Sequence, residues 1–177
     1  MKIVKKIALF LVGIVALFLI IAVFTPSEYY VEREITINQS EDAVFDYVVL
    51  LRNQDNFSAW SQMDPNMEKT FSGEDGTVGF VSAWKSENEN VGIGEQEIIA
   101  ISPGRIDYEL RFKEPFEATD NAFIITEAVG DDKTRVVWGF EGDMPYPSNA
   151  MLLFMSMDEQ LGPQLAEGLD NLKGILE

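Results

Sequence analysis

The last thirty-one residues constrain what the rest of the chain can be. From Pro147 to Glu177, apolar residues fall at Met151, Leu152, Phe154 and Met155, then at Leu161, Leu165, Leu169, Leu172 and Leu176. The second set steps by three or four residues, which keeps one helical face apolar. The spacing predicts one long helix, with Ser148 as its N-cap accepting from a free N–H of the first turn. A kink is expected at Gly162-Pro163, because proline removes a donor and crowds the preceding turn. Such a helix cannot bury its stripe against itself. A broad apolar surface must receive it.

The residues before it offer strands. Val31–Ile37 alternates Val31, Arg33, Ile35 and Ile37 against Glu32, Glu34 and Thr36. Ser40 then caps a short helix whose buried side is Val44, Phe45, Val48 and Leu51, with Glu41 and Asp42 at its positive end. Arg52–Asp64 reads as a second short helix or structured loop holding Phe57 and Trp60, ended by Pro65. From Met67 the period is two. Met67–Phe71 and Val78–Trp84 form a hairpin around Ser72–Gly76, and Gly92–Ile101 follows. Arg105–Lys113 is the cleanest strand, with Ile106, Tyr108, Leu110 and Phe112 alternating with charged residues, so one face is dry and one wet. Asn121–Ala128 and Thr134–Phe140 complete the set around Gly130-Asp131-Asp132. Residues 121–128 are apolar in both registers, and their inward side stays open. Antiparallel strands with one long helix over the dry face make an α+β helix-on-sheet fold.

Ile7–Phe24 is an 18-residue run without charge, preceded by Lys2, Lys5 and Lys6. As a helix it would be roughly 27 Å long, enough for a hydrocarbon core. The reading is an uncleaved anchor over residues 1–25, single-pass, with a cytoplasmic amino terminus and an extracytoplasmic domain. The rival is a cleaved secretory signal, which would normally have a shorter apolar core and a small-x-small site; Ala22–Pro26 supplies none. Pro26–Tyr30 is expected to be a short tether, with Tyr29 and Tyr30 either at headgroup level or opening the first strand. The folded domain is then 31–177.

Composition removes whole classes of function. Neither cysteine nor histidine occurs, so there is no disulfide framework, thiolate nucleophile, Ser-His-Asp arrangement or usual zinc ligand set. The net charge is −17, although the first 25 residues carry three lysines and no acid. Acidity on this scale repels polyphosphate, and no nucleic-acid partner is expected. It also disfavours close contact with anionic headgroups. Its plain role is solubility or adaptation to high salt.

The order strand, two short helices, six strands and a final long helix resembles the helix-grip fold of the START/Bet v 1-like (SRPBCC) superfamily. Asn56–Pro65, with Trp60 and Asp64-Pro65, is similar to the tryptophan-and-DP loop of its bacterial polyketide cyclase/dehydrase-like group. Phe71-Ser72-Gly73, Gly76–Gly79, Thr134–Trp138 and Glu141-Gly142-Asp143 resemble it too, as does the carboxyl end from Met157-Asp158 through Gly162-Pro163 to Gly168–Lys173. The resemblance covers about residues 30–177. It implies a curved antiparallel sheet of about six to seven strands wrapped on the last helix, with a cavity for lipids, sterols or polyketides between them. It implies no activity, since one fold hosts many functions.

Trp60, Trp84, Tyr108, Phe112, Trp138, Met151 and Met155 are the candidate ligand-binding residues: aromatics give contact area and methionine adapts to irregular shapes. The plain alternative is that they pack helix onto sheet. Asp64, Glu95, Glu97, Glu141 and Asp143 are acidic candidates for acid–base work, Glu97 foremost, with Tyr108 as a partner; most acids in so acidic a chain are solvated surface. Gly92-x-Gly94 lacks the later glycine and helix of a phosphate cradle, and no calcium-loop spacing occurs. No catalytic residue, metal or cofactor is assigned. The leading expectation is membrane-tethered binding of a hydrophobic small molecule or lipid. The alternatives are a cyclase-, dehydratase- or hydrolase-like enzyme using a carboxylate and a tyrosine, and a non-catalytic interaction module of a membrane partner.

Overall fold

The computed structural model describes residues 2–177. Helix α1 (Lys2–Phe24) is apolar from Ile7 onward and its side chains from residue 3 through residue 18 are exposed, so it projects from the domain. It is long and apolar enough to cross a membrane. After Thr25, Pro26 and Ser27 the chain enters β1 (Glu28–Ile37). Tyr29 and Tyr30 therefore lie within the first strand, opposite Gly142 and Glu141.

Seven antiparallel strands form one sheet: β1, β2 (Glu68–Ser72), β3 (Val81–Lys85), β4 (Ile93–Ser102), β5 (Arg105–Glu114), β6 (Ala118–Gly130) and β7 (Lys133–Asp143). Their order across the sheet is β1-β7-β6-β5-β4-β3-β2. Only β1 leaves its sequence neighbours, pairing with β7 from Glu28↔Asp143 to Ile37↔Thr134. The alternation read from the sequence appears as burial: Ile106, Tyr108 and Leu110 in β5 face the core, while Glu109 and Arg111 face out.

Between β1 and β2 the chain forms α2 (Glu41–Val48), a short 3-10 turn, α3 (Gln54–Phe57) and α4 (Ala59–Met63). Ser40 caps α2 by accepting from Ala43 N. Asp75, in the β2–β3 loop, accepts from Leu51 N at 2.8 Å and fixes the turn against the hairpin.

Helix α5 (Met157–Leu176) packs Leu165, Leu169 and Leu172 onto the sheet. The helix expected from Pro147 is in fact two pieces. Ser148–Leu153 is a 3-10 turn without a side-chain cap, Phe154 and Met155 break the pattern, and Ser156 caps α5 by accepting from Glu159 N. The break has a physical cause: Asn149 turns inward and donates to the carbonyls of Ala22 and Thr25, both at 2.8 Å, at the end of α1. Gly162-Pro163, by contrast, lies within continuous helix.

Two glycines set the helix-to-sheet spacing. A Cβ on Gly168 would lie 2.6 Å from Cζ3 of Trp138, so the indole of β7 fits only beneath a bare helix backbone. On Gly162 it would meet the Arg33 guanidinium, which reaches across to Asp158 at 2.7 and 2.9 Å. Asn171 ties α5 to α3 by donating to Phe57 O at 3.1 Å.

Two expectations follow. Ser156→Ala should cost about 1 kcal/mol in urea denaturation of the detergent-solubilised chain, whereas Ser148→Ala should leave the midpoint unchanged; equal effects would contradict the break at 154–156. Gly168→Ala should lower the midpoint, because overpacking costs about 1–3 kcal/mol against the roughly 1 kcal/mol alanine gains over glycine in a helix. At Gly174 an added Cβ meets nothing within 4 Å, and Gly174→Ala should raise the midpoint.

Candidate functional site: a cavity between the sheet and the last helix

A cavity of about 490 Å³ lies between the inner face of the sheet, α3–α4 and the start of α5. Small-molecule pockets usually span roughly 300–1,000 Å³, so the size suits a ligand. Four of the seven sequence candidates line it: Trp60, Trp84, Phe112 and Trp138. Each arrives from a different element, α4, β3, β5 and β7 respectively.

The aromatic wall has two parts. Trp84 and Phe112 meet edge to face, 6.0 Å apart at 75°. Trp84 can lie across β4 because its strand partner is Gly94, where a Cβ would come within 2.6 Å of the ring. Its indole N–H donates to Val91 O at 3.2 Å. On the other side Trp60 stands edge-on to Trp138 at 6.0 Å and tilted against Phe140 at 5.6 Å. Phe57 closes on Trp138 from behind, at 5.5 Å. Offset and edge-on pairs of this kind add attraction beyond buried area.

The other three candidates lie elsewhere. Tyr108 is completely buried and packs in the core without lining the cavity. Burial pushes its hydroxyl well above the ordinary tyrosine range, and that hydroxyl has no hydrogen-bond partner among the described residues. Met151 is half exposed on the 3-10 turn, and Met155 borders a second, shallow groove beside the end of α1. Both are carried off the cavity by the break before Ser156.

The acidic candidates have structural partners. Arg111 forks over Glu95 at 2.7 Å and Glu97 at 2.8 Å and pairs with Glu109, all on the outer face of the sheet. Hydrogen bonds from Lys113 and Arg111 hold the Glu95 carboxyl below its ordinary range. Asp64 accepts from Asn66 N at 3.2 Å and from the Ser86 hydroxyl, shaping a turn. Glu141 and Asp143 are exposed at the end of β7. None of the five lines the cavity. Among the described residues no group of three acids could hold a metal ion.

The cavity also contains polar groups that the aromatic pattern did not reveal. Lys69, on β2, pairs with Asp55 of α3 and approaches the Ser61 hydroxyl at 3.3 Å. Ser58, Ser82 and Gln96 are buried in the wall. The Gln96 amide nitrogen and the Trp138 indole nitrogen have no partner among the described residues. Lys69 shares its strand face with Met67 and Phe71, and Gln96 shares one with Ile98, so a polar residue on a dry face was the readable signal. Asp55 and Ser61 carried no such sign.

A half-buried pair sits nearer α1. The Asp120 carboxylate of β6 and the Tyr29 hydroxyl come together over Gly142 of β7. Burial raises the Asp120 carboxyl and, with the neighbouring charge, raises the Tyr29 hydroxyl. Tyr29 borders the shallow groove, and neither side chain lines the main cavity.

No family model matches the sequence, and no curated protein matches it. The fold has many solved counterparts. Norcoclaurine synthase from Thalictrum flavum, solved with dopamine and hydroxybenzaldehyde, superposes with a TM-score of 0.61 at 14% identity, covering 88% of this chain and 90% of that one. A protein from Nitrosospira multiformis gives 0.57 at 17% identity over 84% and 97%. Ara h 8.0201, of the Bet v 1 family, gives 0.52 at 16% identity over 84% and 97%. With seven antiparallel strands closed by one carboxyl-terminal helix, the chain has the Bet v 1-like helix-grip fold.

Proposed function

We propose that this protein binds a hydrophobic small molecule or lipid in the cavity beneath α5, and that α1 holds the domain at a membrane. The carrying observation is the cavity itself: about 490 Å³ walled by Trp60, Trp84, Phe112, Trp138, Leu110 and Phe140. Burying apolar ligand surface there yields roughly 25 cal/mol per Å² before the costs of association. Lys69 and the unpaired donors of Gln96 and Trp138 favour a ligand with an acceptor group at one end, because an unpaired buried donor costs about 1–3 kcal/mol. An amphipathic molecule such as a fatty acid meets both demands.

Support for the anchor comes from α1, whose 23 residues would extend about 35 Å at 1.5 Å each. Its leading lysines favour a cytoplasmic amino terminus and a domain on the far side. The enzymatic alternative needs a carboxylate and a tyrosine facing the bound molecule. Tyr29 and Asp120 are such a pair, but they lie off the cavity, which supports binding without chemistry.

The chain's only three tryptophans all line the cavity, which makes intrinsic fluorescence a direct reporter. Titrating the detergent-solubilised protein with a dibrominated fatty acid should quench tryptophan emission saturably. Ser82→Leu, which adds bulk to the wall, should weaken that quenching at least tenfold, equivalent to about 1.4 kcal/mol. Unquenched emission at saturating ligand, with the protein folded, would refute the binding reading.

A further inference from the structure

The cavity mouth, the exit of α1 and a cluster of exposed apolar side chains all lie at one end of the sheet. The strand register establishes this. Glu28, at the start of β1, is opposite Asp143, the end of β7; Ala118, which opens β6, is opposite Phe112; and Ile93, which opens β4, is opposite Glu114. The 86–92 turn, the 114–117 turn and the β7-to-α5 connection therefore share that end with the last residue of α1. Much of the exposed cavity lining belongs to the same end, at Glu89, Asn90, Glu114, Pro115, Phe116 and Ala118.

The junction with α1 is short and pinned. Four residue steps from Phe24 to Glu28 span at most about 14 Å. Asn149 donates to Ala22 O and Thr25 O, and Ala22 is 1% exposed against the 3-10 turn. From this turn and its flanks Tyr146, Leu153 and Phe154 project into solvent at 56%, 56% and 82% exposure, and Phe116 on the cavity rim is 81% exposed. Single exposed apolar residues are ordinary, but a group gathered beside the end of an apolar helix is a surface for something apolar. Aromatic side chains of this kind favour the bilayer interface.

We infer that this end of the domain docks on the bilayer that α1 enters, with Phe116, Tyr146, Leu153 and Phe154 in the interface. The cavity then opens onto lipid, and its ligand passes between bilayer and pocket without crossing bulk water. The inference rests on the membrane and ligand readings above. Charge selects the lipid. Segments 86–92, 114–120 and 143–160 hold eight acidic residues and no lysine or arginine, so the surface fits a neutral, zwitterionic bilayer and is repelled by an anionic one.

Because the chain has no cysteine, each introduced cysteine is a unique labelling site. Bimane attached at Phe116→Cys, Phe154→Cys, Asp131→Cys (the β6–β7 turn at the opposite end) and Val15→Cys (within α1) would be read in full-length protein reconstituted into vesicles of brominated phosphatidylcholine. The expected result is loss of emission at 15, 116 and 154, with 131 unquenched. Replacing half the lipid by unbrominated phosphatidylglycerol, with the bromine content of the remainder held constant per vesicle, should restore emission at 116 and 154 but not at 15. Quenching at 15 alone would overturn the docking and leave the anchor intact. No quenching at 15 would overturn the anchor and the docking with it.

Discussion

The close seat of Trp138 beneath Gly168 is the contact on which the helix-to-sheet arrangement depends. The indole is 99% buried, held edge-on between Phe57 and Trp60 and capped by helix backbone. Interiors pack at crystal-like density, so a bulky ring at this point leaves no slack for a helix carrying a side chain there. That one approach fixes how near α5 stands to β7. Because the same indole lines the cavity, the fit that holds the helix down also shapes one wall of the space beside it.

The neighbouring wall is built on the same principle with the elements reversed. Trp84 lies across a strand glycine, Gly94, and faces Phe112. In both places a large ring is accommodated by removing a neighbour's Cβ, which lets flat aromatic surface be presented without pushing layers apart. Lys69 and Asp55 bring charge to this apolar room. Their pairing offsets the cost of taking either from water, which a lone lysine would bear unaided.

Much of this was legible in the chain. Strict alternation in β5 and the hairpin glycines gave the sheet, and Ser40 marked its helix start, because each signal reflects a local rule with one dominant outcome. The inward side of residues 121–128 stayed open for a reason the structure supplies: Phe123 is buried on the outer face, over Gly139, with Tyr30 stacked on it at 5.9 Å and Arg105 above at 4.7 Å. A sheet with a small apolar patch on each side erases the two-residue period there. The helix break at 154–156 had a visible marker, Ser156-Met157-Asp158-Glu159, the serine-to-glutamate spacing of a capping box. Leu152 and Phe154 masked it by continuing an apolar rhythm. Met151 and Met155 left the site for the same reason. What no local rule could show was long-range: that Asn149 would seek the end of a helix more than a hundred residues earlier, or that Tyr29 and Asp120 would meet over Gly142.

That Asn149 contact makes the join between α1 and the domain a weld more than a leash. Two carbonyls at the end of the helix are bonded to one amide nitrogen, and three residues later the chain is locked into the sheet by β1 pairing. A flexible linker would let a head explore all azimuths. Here rotation of α1 about its own axis carries the whole body round with it, and a tilt of the helix becomes a tilt of the sheet. The direction the domain faces is thus inherited from how its leading helix is set.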